Sequence, residues 1–181
     1  MGRVAVGAAS SAAKTGGKAR IIELQGTTGS APAIDRQKGF AEAIRPHPGM
    51  SIVKSQSADF TRAKGKEVME AFLKSYGDEI DALYAHNDDM AIGAIQAIEE
   101  YGLKPGEDIK IVSIDAVRGA FEAMIAGKLN ATIECNPLLG PQFFEMALKV
   151  VNGEEVEKWV PSEESVFFPD DAAEVLPTRQ Y

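Results

Sequence analysis

Short apolar runs alternate with stretches of helical periodicity along most of this 181-residue chain. Side chains in the short runs are continuously apolar or alternate with polar ones, which predicts strands. The predicted strands are residues 19–24, 50–55, 82–85, 109–114 and 131–133. Between them, apolar residues recur at i, i+3 and i+4 spacing, as in residues 68–73, and predict amphipathic helices. Pro46 ends the first of these helices, and Gly102 ends a later one.

Strands that are separated by helices of about a dozen residues indicate βαβ units, which build a parallel sheet covered by helices. We therefore expect an α/β fold, in the form of a three-layer αβα lobe with a mainly parallel sheet. Beyond Pro137 the pattern changes, with one more helix predicted at residues 138–151 and a late strand at 160–168. The tail from Pro169 is expected to lie along the surface. Residues 1–14 predict a helix rather than a signal peptide, because Gly and Ser break their mildly apolar run.

Hydrogen-bonding side chains concentrate just after the predicted strands. They occupy residues 26–30, 57–60 and 86–89, together with Asp115. Ligands of parallel α/β sheets bind beyond the carboxyl ends of the strands, because the polar loops converge there. Four successive strand ends that carry hydrogen-bonding groups therefore predict a binding edge.

Composition narrows the classes of partner. The net charge of −8 argues against a nucleic-acid partner, because phosphate binding needs clustered Lys and Arg. The basic stretch at residues 62–66 is followed by Glu67 and Glu70, a mixture that is typical of a solvated helix face. No run approaches the ~20 apolar residues that a membrane span needs. The single cysteine, Cys135, excludes an intrachain disulfide and a cysteine-based zinc cluster, and we expect it to be a small buried side chain.

Neither histidine has the sequence neighbours that catalysis or metal binding would need. His47 lies between two prolines in a predicted surface turn. His86 lies near Asp88, but no third metal ligand or suitably placed serine nucleophile accompanies this pair. Residues 26–29 are rich in glycine and threonine, yet they lack the Gly-Lys-Ser/Thr ending of phosphate loops and the three-glycine dinucleotide pattern. We therefore predict no catalytic residue, no metal site and no cofactor.

Six segments of the chain resemble one protein family, in the same order. They are residues 22–30, 33–43, 55–66, 84–95, 113–115 and 134–141. On these segments the chain resembles the C-terminal lobe of periplasmic sugar-binding proteins of the ribose and galactose type, which deliver sugars to ABC transporters. The resemblance runs from about Lys18 to the end, and it implies a truncated periplasmic-binding-protein-like fold of type I.

Family members close two similar lobes on a sugar, so the resemblance implies that nearly all of the first lobe is missing here. It assigns residues 1–135 to the C-terminal lobe, residues 136–159 to a helix of the absent lobe, and residues 160–181 to a return segment and tail. A large exposed apolar patch is unfavourable in a monomer. We therefore expect that helix to swap with, or pack against, a second copy in a homodimer. Its apolar side chains are Phe143, Phe144, Met146, Leu148 and Val151.

The resemblance also implies which residues contact the ligand. They are Ser30, Arg36, Phe60, Asn87, Asp115 and Asn136. Arg36 matches an arginine that donates hydrogen bonds to sugar hydroxyls, and the alternative is a surface arginine paired with Asp35. Phe60 matches an aromatic ring that stacks on the apolar face of the sugar, and the alternative is an ordinary core residue. Ser30 belongs to the loop expected to line the sugar.

The amide and carboxylate residues of this set have alternatives of their own. Asn87 also fits as the N-cap of the next helix. If it contacts the ligand instead, Asp88 or Asp89 takes the capping role. Asp115 ends a strongly hydrophobic strand, where a carboxylate needs partners, and the alternative is a cap for the following helix. Asn136 is the nearest substitute for the amide-bearing residue that relatives place where this chain has a cysteine.

The resemblance implies non-catalytic binding of a monosaccharide, such as galactofuranose or a related hexose or pentose. The implied partner is the membrane permease of an ABC transporter, and the implied location is the periplasm. The alternative is the effector-binding core of a lac-repressor-type regulator, which shares the two-lobe fold. A signal peptide encoded upstream would favour transport, and a helix-turn-helix would favour regulation. We expect this chain alone to bind sugar weakly, because half of the contacts and the clamp are absent.

Overall fold

A computed structural model describes residues 18–181. Its strands are Ala19–Gln25 (β1), Met50–Ser57 (β2), Ala82–Ala85 (β3), Lys110–Asp115 (β4), Ala131–Glu134 (β5) and Val166–Phe167 (β6). Its α-helices are Ala31–Ile44 (α1), Arg62–Tyr76 (α2), Asp88–Tyr101 (α3), Arg118–Ile125 (α4), Gly140–Val151 (α5) and Pro169–Val175 (α6). The helix predicted over residues 1–14 lies outside the described residues.

The strands form one sheet in the order β2-β1-β3-β4-β5-β6. Neighbouring strands from β2 to β5 are parallel, and β6 pairs with β5 in the antiparallel direction. The expected mainly parallel sheet is therefore confirmed. The predicted late strand was too long, because only Val166 and Phe167 pair with β5. Residues 161–165, a proline followed by four polar residues, offer no apolar alternation that would bury them against the sheet.

Helices cover both faces of this sheet. On one face, α2, α3, α4 and α6 pack on a core that includes Leu24 and Leu83. On the opposite face, α1 packs Phe40 against Ile21 and Tyr84. The rings of Phe40 and Tyr84 are stacked with centroids 4.1 Å apart. The side chains of β1 alternate between the two cores, which gives the expected three layers.

Helices α2 and α3 approach each other closely at two glycines. A Cβ atom on Gly93 would lie 2.1 Å from the carbonyl oxygen of Arg62, and one on Gly65 would lie 2.5 Å from that of Met90. Real Cβ atoms do not approach backbone atoms this closely, so both positions require glycine for the observed packing. The close contact places the start of α3 beside the end of β2, where the candidate site lies.

The C-terminal tail packs against the core and does not only lie along the surface. It forms α6, which the sequence did not predict, and Ala172 of that helix is fully buried in the core. Helix α6 packs against α4. Further along, the backbone N–H of Arg118 donates to the carbonyl oxygen of Tyr181 at 2.8 Å. The sequence signal for this helix is weak, because only Ala172 of it is buried and Val175 packs against the core from a half-buried position.

Helix α5 has no buried residue. Phe143, Phe144 and Leu148 are 67%, 66% and 63% exposed, and Val151 is 82% exposed. Within the described residues, the apolar side chains of this helix are therefore largely exposed. The assignment of residues 136–159 to another lobe stays a prediction.

Candidate functional site

Arg36 joins two strand ends at the carboxyl edge of the sheet. Its side chain extends from α1 toward the ends of β3 and β4. There, Nη1 donates to the carbonyl oxygen of His86, and Nη2 lies 3.3 Å from Oδ1 of Asp115. The Arg36 side chain is 10% exposed and that of Asp115 is 29% exposed. The alternative pairing with Asp35 is therefore not the one that the structure adopts. The result is a half-buried ion pair at the predicted binding edge.

Asp115 ends β4 in a strained backbone conformation. Its φ is 130° and that of the following Ala116 is 59°, and residues other than glycine rarely adopt these positive values. Such strain tends to occur at functional sites. Burial raises the pKa of Asp115 to about 6, while the Arg36 guanidinium opposes this rise. Asp115 does not cap α4, whose N-cap is Val117.

Asn87 links α3 to the loop that follows β2. Its Oδ1 accepts from the backbone N–H of Met90 at 3.0 Å, and its Nδ2 donates to the carbonyl oxygen of Phe60 at 3.1 Å. Asn87 is thus the N-cap of α3, and the expectation that Asp88 or Asp89 takes this role is wrong. A cap must have extended backbone before the helix begins, and Asn87 has it, with φ −147° and ψ 168°.

Asp88 instead connects three elements beneath the site. It is fully buried, and its Oδ1 accepts from the hydroxyls of Ser113 and Thr132. Its Oδ2 accepts from the backbone N–H of Val117 at 2.9 Å. Burial raises the pKa of Asp88 to about 7, although these three hydrogen bonds oppose the rise. The carboxyl group therefore fixes the start of α3 to β4, β5 and the turn before α4.

Phe60 forms one wall of the edge. Its φ of 58° turns the chain sharply, and its half-buried ring lies against Gly26. A Cβ atom on Gly26 would lie 1.9 Å from Cζ of the Phe60 ring, so only glycine leaves room for it. The guanidinium carbon of Arg36 lies 5.7 Å from the ring centroid. Phe60 thus packs partly on the core and partly beside the candidate ligand contacts.

Ser30 and Asn136 form side-chain hydrogen bonds with their own local turns and not with this cluster. Ser30 Oγ donates to the carbonyl oxygen of Thr27 at 2.8 Å, within its own loop. Asn136 Oδ1 accepts from the backbone N–H of Leu138 at 2.8 Å. Cys135 is half-buried rather than buried. The structure therefore brings Arg36, Asn87, Asp115 and Phe60 together, and it leaves Ser30 and Asn136 in local turns.

The sequence reasoning missed Glu23 and underestimated His86. Both side chains are buried, and Nε2 of His86 lies 3.1 Å from Oε1 of Glu23. Nδ1 of His86 accepts from the backbone N–H of Gly26 at 3.2 Å. Because Nδ1 is an acceptor, Nε2 must carry the proton and donate to Glu23. The available signal was a glutamate in the middle of a strongly apolar strand, where a carboxylate requires a partner.

Residues 18–181 offer neither a metal centre nor a membrane-spanning helix. No group of three or more His, Cys, Asp or Glu residues in this range could hold a metal ion. None of the helices described there is long and apolar enough to span a bilayer.

Comparison with known proteins places this chain in a family. A sequence profile of the periplasmic binding protein domain matches residues 2–155. The galactofuranose-binding protein YtfQ of Escherichia coli is 50% identical over 163 residues, which make up 88% of this chain and 51% of YtfQ. The chain therefore spans about half the length of this curated relative.

Solved structures of other proteins resemble this chain in both fold and sequence. A Mycobacterium smegmatis protein in complex with β-D-fucofuranose superposes with a TM-score of 0.91 at 50% identity, covering 99% of this chain and 59% of that chain. The periplasmic component of the arabinose ABC transporter from Shewanella, bound to L-arabinofuranose, gives 0.86 at 47% identity, covering 92% and 56%. The names of these relatives describe sugar-binding proteins. Through its matching profile and its three-layer fold, the chain belongs to the periplasmic binding protein domain family.

Proposed function

We propose that this chain is the sugar-recognising part of a non-catalytic binding protein that captures a monosaccharide for uptake by an ABC transporter. Galactofuranose, or a related hexose or pentose, is the proposed ligand. The observation that carries the proposal is the half-buried pair of Arg36 and Asp115 beside the Phe60 ring, at the carboxyl edge of the sheet. The sugars in the names of the similar proteins support the ligand class.

The chemistry of this cluster suits adjacent hydroxyl groups. A sugar hydroxyl both donates and accepts, so it is best bound by a donor and an acceptor that lie next to each other. Arg36 has five N–H donors, more than its bonds to His86, Asp115 and Cys135 use, and Asp115 supplies carboxylate acceptors. The Phe60 ring adds an apolar surface for the C–H face of the sugar. The Asn87 amide donates to the carbonyl oxygen of Phe60 and also hydrogen-bonds to Asp115, so it helps to orient this carboxylate.

The same geometry argues against a hydrolytic role. A general base needs a free carboxylate or imidazole within reach of the substrate. Asp115 is paired with Arg36, and both ring nitrogens of His86 are engaged by buried protein groups. We therefore propose binding without chemistry for the edge formed by these residues.

The proposed protein works as a clamp. Residues 1–135 and 160–181 form the sugar-recognising lobe, and residues 136–159, which include α5, belong to the opposite lobe. The exposed apolar face of α5 then contacts the rest of that lobe in a two-lobed protein, or a second copy where the lobe is missing. The proposed location is the periplasm, where a closed, sugar-loaded clamp meets the membrane permease.

A thermal-shift screen tests this function. The chain and the full-length product of its gene are each heated with galactofuranose, galactose, ribose and arabinose. A ligand at 100 times its dissociation constant stabilises a fold by about 2.7 kcal/mol, which is readily measured. We expect one sugar to shift the full-length protein and to shift the chain alone weakly. The absence of a shift with every sugar, in both proteins, would overturn the sugar-binding proposal.

A matched variant distinguishes specific from nonspecific stabilisation. Asp115→Asn keeps the size of the side chain but removes the charge that pairs with Arg36. We expect it to reduce the sugar-dependent shift while the protein without sugar still melts cooperatively. An undiminished shift in this variant would place the sugar elsewhere on the molecule.

A further inference from the structure

His86 joins the end of β3 to the end of β1 through its buried ring and its backbone. The residue is 0% exposed. Its ring accepts from the Gly26 backbone N–H through Nδ1 and donates to Glu23 through Nε2. Its backbone N–H donates to the carbonyl oxygen of Leu24 at 2.9 Å. Every one of these partners belongs to β1 or to the residue just after it, so His86 fastens the end of β3 to the end of β1.

The carbonyl group of the same residue faces the candidate ligand contacts. It accepts from Nη1 of Arg36, whose Nη2 bonds to Asp115. Because the ring and the N–H of His86 are both held by β1, the direction of this carbonyl is also fixed. The guanidinium is therefore supported on one side by a carbonyl that has little freedom to move.

The ring of His86 reaches the opposite wall through Gly26. This glycine is anchored by Nδ1 at 3.2 Å, and the Phe60 ring rests directly against its Cα. A shift of the Gly26 backbone would therefore move the surface that supports Phe60. The polar contact and the apolar wall of the candidate site thus depend on one buried residue.

We propose that His86 is a positioning residue for ligand recognition, which sets the relative placement of Arg36 and the Phe60 wall without contacting the sugar. The inference rests on the proposed function. Glu23 supports this role, because its carboxylate accepts from Nε2 and thereby selects the tautomer of the imidazole. With the proton on Nε2, Nδ1 is free to accept from Gly26, whereas the other tautomer would point an N–H at the Gly26 N–H.

Glu23 is itself held in place. Its Oε2 accepts from the hydroxyl of Ser55 on β2, and the amide of Gln25 lies 3.5 Å away. The chain of contacts therefore runs from β2 through Glu23 and His86 to Arg36, across the centre of the sheet edge. A connected network of this kind, with Glu23 and His86 buried at its centre, restrains its members more strongly than any single hydrogen bond does.

Three substitutions separate the two functions of the ring. His86→Ala removes both bonds, His86→Asn keeps an acceptor near the position of Nδ1, and His86→Gln keeps a donor near the position of Nε2. His47→Ala is the matched control, because His47 is exposed. For each protein we measure hydrogen exchange of the Gly26 amide and rotation of the Arg36 guanidinium by NMR, affinity for galactofuranose by calorimetry, and the melting temperature.

We expect His86→Ala to accelerate Gly26 exchange and to weaken galactofuranose binding at least tenfold, with faster guanidinium rotation. His86→Asn should restore Gly26 protection and most of the affinity, and His86→Gln should not restore Gly26 protection. If His86→Ala fails to fold, the difference between the Asn and Gln variants decides the question. Affinity within twofold of the parent in all three variants, despite lower melting temperatures, would overturn the proposal and leave His86 a purely structural residue.

The ligand-free measurements separate this inference from the proposed function. If the parent protein binds none of the screened sugars, the proposed function fails. Unchanged Gly26 exchange and unchanged Arg36 rotation in His86→Ala would refute the positioning role even where the parent protein binds sugar well.

Discussion

Nη2 of Arg36 lies 3.3 Å from Oδ1 of Asp115, although the two residues are 79 positions apart in the sequence. The contact joins the first turns of α1 to the end of β4. It places a donor and an acceptor side by side in a half-buried environment, where charge-assisted hydrogen bonds are stronger than in water. The same contact leaves each group dependent on the other, because either one alone would be a partly buried, unpaired charge.

Removal of either member of this pair should weaken sugar binding. We expect Arg36→Ala and Asp115→Asn each to lower affinity by at least tenfold, since a hydrogen bond to a charged group contributes about 1.5–3 kcal/mol. The double variant should lose less than the sum, because residues in contact are not additive. Calorimetry on the full-length protein measures all three. Arg62→Ala is the control, because the ion pair of Arg62 with Asp89 is exposed; equal losses in that variant would contradict the assignment.

Sugar binding should depend on pH through Asp115. Burial raises the pKa of this carboxyl group to about 6, so its charged, accepting form becomes dominant as the pH rises from about 5 to 7. Affinity should therefore increase over that interval and level off above it. Titration by calorimetry at several pH values checks this. Asp115→Asn has no such ionisation, and a pH profile equal to that of the parent would assign the dependence to another group.

Stability should depend on pH through Asp88. Its folded pKa of about 7 exceeds the ordinary aspartate value of about 3.9, so between these values the folded state holds a proton that the unfolded state releases. The stability of the parent relative to Asp88→Asn should therefore fall as pH rises through this window, by at most about 1.4 kcal/mol per pH unit. Denaturant unfolding at pH 4.5 and 7.5 measures this difference. A difference that stays constant between the two pH values would argue against the raised pKa.

The contact between α2 and α3 should not tolerate a side chain at Gly93. Gly93→Ala would force its Cβ to 2.1 Å from the Arg62 carbonyl oxygen, so the helices must separate. We expect a loss of about 1–3 kcal/mol, the usual range for overpacking. Gly39→Ala is the control, because nothing lies within 4 Å of its added Cβ in helix α1. That control should be neutral or more stable by up to about 1 kcal/mol, and unfolding experiments that reverse this order would contradict the observed packing.

The exposed face of α5 predicts self-association of the isolated chain. Phe143 and Phe144 are 67% and 66% exposed, and their burial against a second copy would remove a large apolar area from water. The double substitution Phe143→Ser and Phe144→Ser should shift the chain toward the monomer. Light scattering after size exclusion measures this shift. Ile125→Ser, at a residue 51% exposed on α4, is the control, and a chain that is monomeric before any substitution would show the prediction wrong.

Local sequence patterns predicted the elements of this fold well where burial is one-sided or complete. The strand predicted at residues 82–85 matches β3 to the residue, because every side chain in that run is buried. The prediction of strands and helices was poor where few side chains of an element are buried, because the apolar pattern is then weak. The late strand predicted at residues 160–168 covers only Val166–Phe167 in the structure. Helix α6 was missed because only Ala172 of that helix is buried.

The candidate site divides in the same way. The sequence identified Arg36, Phe60, Asn87 and Asp115 as candidates through a resemblance. Strand-end placement predicted one common edge for Phe60, Asn87 and Asp115, whereas Arg36 reaches that edge from helix α1. The sequence could not decide that Asn87 caps α3, because Asp88 and Asp89 have the same short, accepting side chains. The backbone geometry at the strand end made that choice.

Local sequence patterns are sufficient to predict the α/β alternation, the family and the apolar face of α5, because these depend on side-chain character within a few neighbouring residues. Which distant groups meet follows only from the assembled fold. Glu23 and His86 are 63 positions apart, and they bond because β1 lies beside β3 in the sheet. Strand order is set by the packing of the whole chain, and no local pattern encodes it. The partners of a buried charge are therefore known only once the sheet has been assembled.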